Sequence, residues 1–253
     1  MLRELTREDW LRILDLPADR VPRVLLLRGT RNLKHQYAQH AKLFTNVLEV
    51  GSPNGILEDV LVGDLSGVPA GYASVYGAAM ASEVAHVFGV LGTELVLLTG
   101  CCGALAEGIG PGDLVIPTQA FCGEGAAQHY VPGRSTVRAS LDLREASAPA
   151  AADGWPVHHG PIYTTGALLA EGRDEVEDWS RRGFIAVDLE TAAVFAVAQH
   201  FGMSCAAVLF AFDNPRHEAD LVLEDEAKDA RRREGERRMI EVALAAVRGP
   251  SGR

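Results

Sequence analysis

The run Cys205-Ala-Ala-Val-Leu-Phe-Ala-Phe212 carries no charged or hydroxyl side chain and then stops at Asp213-Asn-Pro-Arg216. Such a run has to be buried, and its length suits a strand better than a helix. An acid stranded at its end is a poor packing choice and a good chemical one. A second segment repeats the pattern. Phe184-Ile-Ala-Val187 is strand-like, Asp188 and Glu190 follow two residues apart, and Thr191 to His200 is an Ala-rich helical run. Other buried runs end on glycine: Arg23-Val-Leu-Leu-Leu-Arg28 on Gly29-Thr30, Ala70–Val75 on Tyr76-Gly77, and Thr93–Thr99 on Gly100-Cys-Cys-Gly103.

Helical spacing covers 32–44, 78–91 (stopping at Gly92), 171–182 and about Glu224 to Val247. The last of these carries acids early and arginines late, which suits the helix dipole. Further strands are expected at 47–50 and 56–62, and a turn and strand at Gly110–Pro117. The stretch Tyr130 to Pro161, rich in Ala, Gly, Pro and Ser, reads as an irregular excursion. Strands that alternate with helices and end on glycines predict an α/β fold with ligands at the strand termini.

The length of 253 residues is ample for a core without staples, and 47% hydrophobic with 6% aromatic residues means a core of Ala, Val and Leu. With no low-complexity linker, the expectation is one domain over 1–253, with a short N-terminal extension at about 1–22. A net charge of −10 argues against nucleic acid or an anionic membrane as partner. The four cysteines, Cys101, Cys102, Cys122 and Cys205, form no CxxC or Cys/His ligand spacing and read as buried thiols of a reducing compartment. The charged start Met-Leu-Arg-Glu-Leu-Thr-Arg-Glu-Asp-Trp10 is unlike a signal peptide, and no apolar run approaches the ~20 residues of a membrane span. The expected location is the cytoplasm.

Each feature that could carry chemistry also has a structural reading. A strand-end glycine lets backbone N–H groups approach an anion or a sugar, yet it can equally be a simple turn. Glu190 would suit the vicinal hydroxyls of a ribose, or it is an acid favoured by a helix N-terminus. Asp213 would be pushed by burial toward the range of a general acid, or it caps the turn that Asn214-Pro215 opens. The eight histidines, including His158, His159, His200 and His217, show no metal spacing, and no GxSxG elbow is present, so no metal and no hydrolase triad are expected.

Together these segments resemble the nucleoside phosphorylase/nucleosidase family, over about Val24 to Asp213. Val187-Asp-Leu-Glu-Thr-Ala-Ala-Val194 is similar to the family's V-E-M-E-x-A-A. Leu97-Leu-Thr-Gly-Cys-Cys-Gly-Ala-Leu105 resembles its strand ending in G-[ST]-[CA]-G-[AG]. Gly112-Asp-Leu-Val-Ile-Pro-Thr118 matches G-D-[LV]-V-[IV]-[PS], and Gly123-Glu-Gly-Ala-Ala-Gln-His-Tyr-Val-Pro132 resembles E-G-[TA]-S-x-H-Y-x-P. Tyr163-Thr-Thr-Gly-Ala167 stands where the family often has T-T-D-A.

The resemblance implies a three-layer fold with a central mixed β-sheet flanked by helices, and cleavage of a nucleoside N-glycosidic bond. It implies Glu190 on the ribose diol, Val187, Leu189, Tyr163 and Thr164 at the base, and Asp213 as the acid at N7 of a purine. Phosphate would be the co-substrate, with Gly29, Arg28, Arg31, Gly100 and Cys101 as its candidates, no cofactor, and a homo-oligomer (dimer, trimer or hexamer) as the assembly. Several phosphate motifs depart from the family pattern. Gly29-Thr-Arg-Asn32 replaces G-D-P-x-R, Leu98 replaces a strand arginine, and Cys101 replaces a serine. Arg28, Arg31 and Lys34 are the cations available to rebuild the site. A hydrolytic nucleosidase and a catalytically weak nucleoside-binding relative are the alternatives.

Overall fold

Strand β1 (Val24–Gly29) is buried along its whole length, as its unbroken apolar run requires of a parallel strand covered on both faces. The computed structural model describes residues 1–216 and 225–249, so His217 and Glu224 lie outside the described residues. Around β1 the chain lays down α1 (Arg7–Ile13), α2 (Leu33–His40), β2 (Phe44–Glu49), β3 (Val60–Leu65), β4 (Val68–Val75) and α3 (Gly77–Leu91). It continues with β5 (Leu95–Ala104), β6 (Leu114–Gly123), β7 (Thr136–Arg138), α4 (Arg144–Ala152) and β8 (Val157–Thr165). The last described elements are α5 (Arg173–Arg181), β9 (Ala186–Asp188), α6 (Thr191–Phe201), β10 (Ser204–Asp213) and α7 (Glu226–Arg248).

Among the described residues the strands form one mixed sheet, with β1 parallel to both β4 and β5. β10 pairs with β5 on one side and β6 on the other, so β5, β10, β6, β8 and β9 close into a ring. Closure leaves β7, which pairs only with β6, as the one strand of that half outside the ring among the described residues. Alternate residues of β1 feed two cores. Leu25 and Leu27 pack with α3 and α6, whereas Val24 and Leu26 share a cluster with Met239 and Val242 of α7. This gives the expected three layers, helix–sheet–helix. The first residues join the same packing, with Trp10 and Leu14 in the α3/α6 core.

Three expectations from the sequence need correction. β5 does not end at Gly100 but runs on through Cys101 and Cys102 to Ala104. β10 in parallel and β9 in antiparallel register hold it extended, with Asp213 and Val187 both opposite Gly103. The stretch 130–161 is not irregular: it contains β7, α4 and the start of β8, which pairs with β6. Its Ala, Pro and His content hid the pattern, and Pro149 lies within α4. Phe44 opens β2 instead of closing a helix.

The motif Gly112-Asp113 serves as scaffold. Asp113 accepts hydrogen bonds from Gly110 N–H (3.1 Å), Arg231 Nη2 (2.7 Å) and His158 Nε2 (3.1 Å), tying β6 to α7 and β8. α7 can come this close because of Gly235, where an added Cβ would lie 2.2 Å from the Gly112 carbonyl oxygen. An exposed helical Gly→Ala change gains about 1 kcal/mol. Here backbone blocks the methyl group, so Gly235→Ala should instead lose roughly 1–3 kcal/mol in urea unfolding, the ordinary cost of overpacking. A stabilised variant would show that α7 does not pack this tightly.

Candidate active site

The ends of β1, β5, β9 and β10 open into a cavity of about 480 Å³. Glu190 sits at its wall, 6% exposed, at the N-cap position of α6. Its side chain does not cap the helix. It turns back to accept the Gly77 N–H at 2.7 Å, at the start of α3. Gly77 has φ +78°, a conformation that favours glycine, and a Cβ on Gly29 would lie 3.0 Å from Glu190 Oε2. The two strand-end glycines therefore make room for and orient one carboxylate.

Capping falls to Asp188. Its carboxylate accepts from Thr191 N–H (2.8 Å), Thr191 Oγ1 (2.5 Å), Glu190 N–H (3.3 Å) and Thr164 Oγ1 (2.7 Å). Thr164 Oγ1 in turn accepts the Ala192 N–H at 3.0 Å, so the network joins β8, β9 and α6. Burial raises both acids. The hydrogen bonds of Asp188 oppose that rise, whereas Glu190, short of donors and beside the Asp188 charge, is pushed up to about 8. Burial, then the Asp188 charge, therefore holds the Glu190 carboxyl above the ordinary carboxylate range.

Asp213, the last residue of β10, is 6% exposed and lines the same cavity, as do Val187 and Leu189. The turn after it is built by Asn214, whose Oδ1 accepts the Arg216 N–H. Arg28, Gly29, Arg31 and Cys101 also line the cavity. Arg31 lies over the Tyr76 ring, 5.2 Å from its centroid. Cys101, expected among buried thiols, is exposed on the cavity wall, and desolvation there pushes its thiol up to about 11, so it presents no charge to an anion.

Four of the expected site residues stand elsewhere. Tyr163 is stacked on Trp179 (centroids 4.3 Å apart) and Phe121 (5.1 Å), in an aromatic cluster off the cavity wall. Thr164 is wholly buried in the Asp188 network. Gly100 is buried against the Gly29 carbonyl, and neither it nor Lys34 lines this cavity.

The cavity also holds acids that the sequence reading left out. Glu171 lines it just before α5, with Oε1 buried and without a hydrogen-bond partner. Burial, then the nearby Asp213 and Glu175, push it up to about 7. In the sequence it looked like one more acid of the α5 N-terminus, but Glu175 takes the Gly172 N–H instead. Glu236 of α7 and Gln36 of α2 complete the side near Arg28. A second cavity, about 360 Å³ beside His86, Tyr130 and His200, holds none of these acids. Among the described residues no group of three or more His, Cys, Asp or Glu could hold a metal, and no helix is long and apolar enough to cross a membrane.

The profile of the Phosphorylase superfamily matches residues 35–248, and the chain belongs to that family. It is 30% identical over 164 residues to a guanosine phosphorylase of Halorubrum lacusprofundi, covering 62% of this chain and 66% of that protein. A DeoD-type purine nucleoside phosphorylase of a Geobacillus species is 28% identical over 156 residues, covering 60% and 63%. The chain thus spans just under two thirds of the length of either relative. In fold it is similar to a uridine phosphorylase from Vibrio fischeri, with a TM-score of 0.77, 18% identity, and 93% and 95% of the two chains covered.

The raised Glu190 makes stability depend on pH. Its carboxyl titrates near 4.5 when unfolded and about 8 when folded, so its contribution is complete below about pH 4.5 and lost as pH rises through about 8. Glu190→Gln keeps an acceptor for Gly77 and removes the titration. Relative to wild type, the variant should therefore gain ~2 kcal/mol or more in unfolding free energy between about pH 5 and pH 9. Parallel urea-denaturation curves at both pH values would contradict the assignment.

Proposed function

We propose that this chain cleaves the N-glycosidic bond of a purine-type nucleoside by phosphorolysis, releasing the base and ribose 1-phosphate. The observation that carries this reading is the presence of Glu190 and Asp213, delivered by separate strand ends, in one cavity with the apolar Val187 and Leu189. Breaking C1′–N9 leaves its electron pair on the base and positive charge on the sugar. Asp213 hydrogen-bonds or protonates N7 and so neutralises the leaving base. Glu190 accepts the 2′ and 3′ hydroxyls and holds the ribose as an oxygen of phosphate bonds to C1′.

Purine as the base is supported by Asp213 and by the names of the two sequence relatives, a guanosine and a purine nucleoside phosphorylase. Gly29, Arg28, Arg31 and Cys101 are the phosphate-side residues that share the cavity. The enzyme we envisage is a pentosyltransferase, one domain over 1–253. It uses inorganic phosphate and no metal cofactor, and works in the cytoplasm as a homo-oligomer. Hydrolysis is a second reading, supported by one observation: the Arg28 Nη2 is already bonded to Glu236 at 2.5 Å.

Base release from inosine, guanosine, adenosine and uridine, with and without phosphate, tests the proposal. Purine release should require phosphate and yield equimolar ribose 1-phosphate, whereas release indifferent to phosphate would establish hydrolysis. Asp213→Asn should lower kcat by roughly 10²–10⁴-fold with little change in nucleoside binding. Glu190→Ala should weaken both. Wild-type turnover by the Asp213 variant would remove that residue from the mechanism.

A further inference from the structure

Arg28 is the most deeply buried cation of the cavity, its side chain 4% exposed, and its donors are poorly used. Nη2 bonds Glu236 Oε1 at 2.5 Å, Nη1 faces only the Met239 sulfur at 3.6 Å, and Nε is buried with no partner. A guanidinium has five N–H donors in a fork that matches carboxylate or phosphate oxygens in pairs. One carboxylate oxygen on one edge leaves most of that capacity unmet. Gln36 donates to the same Glu236 oxygen at 3.1 Å, so α2 and α7 together hold the acid in place. Glu236 is 28% exposed, so its carboxylate is near water and has somewhere to go.

We infer that Glu236 is an internal anion seated in the phosphate subsite, which phosphate must displace to reach Arg28. The inference rests on the phosphorolysis reading for the identity of the anion. A carboxylate and a phosphate cannot share one buried guanidinium without repulsion in a weakly screened site. Leu98, on the strand beside β1, supplies no second cation there. With the subsite empty, Glu236 prevents Arg28 from standing as an uncompensated buried charge, which would destabilise the fold. With phosphate present, the acid moves out to solvent and phosphate oxygens take the Nη2 edge of Arg28 that it leaves. Glu236 thereby sets how much phosphate the reaction needs.

The test uses the full chain as wild type, Glu236→Gln and Glu236→Asp, titrated with inorganic phosphate alone by calorimetry and followed by thermal unfolding. A charge-assisted hydrogen bond corresponds to about tenfold to hundredfold in an equilibrium constant. Glu236→Gln should therefore bind phosphate at least about tenfold tighter, and Glu236→Asp, with its shorter arm, should shift in the same direction. Without phosphate, Glu236→Gln should melt lower than wild type, and phosphate should raise its Tm more than it raises that of wild type. Unchanged or weaker phosphate binding in both variants overturns the inference. Because binding is read without nucleoside, phosphate-independent base release by wild type would defeat the phosphorolysis reading while leaving this result to stand or fall separately.

Discussion

The site depends on placing two carboxylates, Asp188 and Glu190, in one buried spot without letting both carry full charge. The structure resolves the conflict by giving them unequal surroundings. Asp188 takes the donors that α6 and β8 offer and becomes part of the frame. Glu190 takes backbone donors, the Gly77 N–H at 2.7 Å foremost, and faces the open cavity. An ionisable group kept short of protein donors is costly in an empty cavity, and it is free to serve hydroxyl donors that a ligand brings. The glycines at 29 and 77 follow from this: one leaves space beside the carboxylate, the other adopts the left-handed backbone that presents its N–H.

The sheet makes the arrangement possible. β1, β4, β5 and β10 run parallel, so their C-terminal ends gather at one end of the sheet, where the cavity forms. The closed ring fixes the ends of β5, β9 and β10 relative to one another, which holds Val187, Asp188 and Asp213 in register. α7 adds the remaining wall and is anchored through Asp113 and the close approach of Gly235 to Gly112. The same helix carries Glu236, so scaffold packing and the ion pairing of Arg28 are linked through one element.

Much of this was legible in the sequence. Long apolar runs marked β1, β5 and β10, and acids or glycines at their ends marked the cavity. Glu190 and Asp213 stood out because an acid beside an apolar run is rare unless it is used. Other features were hidden for definite reasons. Gly100 and Gly103 looked like a turn, but neighbouring strands on both sides extend the chain through them. Tyr163 and Thr164 followed the family's order along the chain, yet stacking on Trp179 and bonding to Asp188 take their side chains off the wall. Glu171 and Glu236 looked like ordinary helix acids, and only tertiary contacts separate them from their neighbours. Arg28 was visible as a cation, but its partner lies 208 residues away.

Glu190, raised by burial and by the Asp188 charge, should give up a proton when it accepts the ribose diol we propose for it. Proton release on nucleoside binding tests it most directly, measured by calorimetry at pH 7 in buffers of different ionisation enthalpy. With Glu190 at about 8 when free, binding of a ribonucleoside should release close to one proton. The matching 2′,3′-dideoxynucleoside should release far less. Binding that releases no proton, or the same number with and without the diol, would contradict the account.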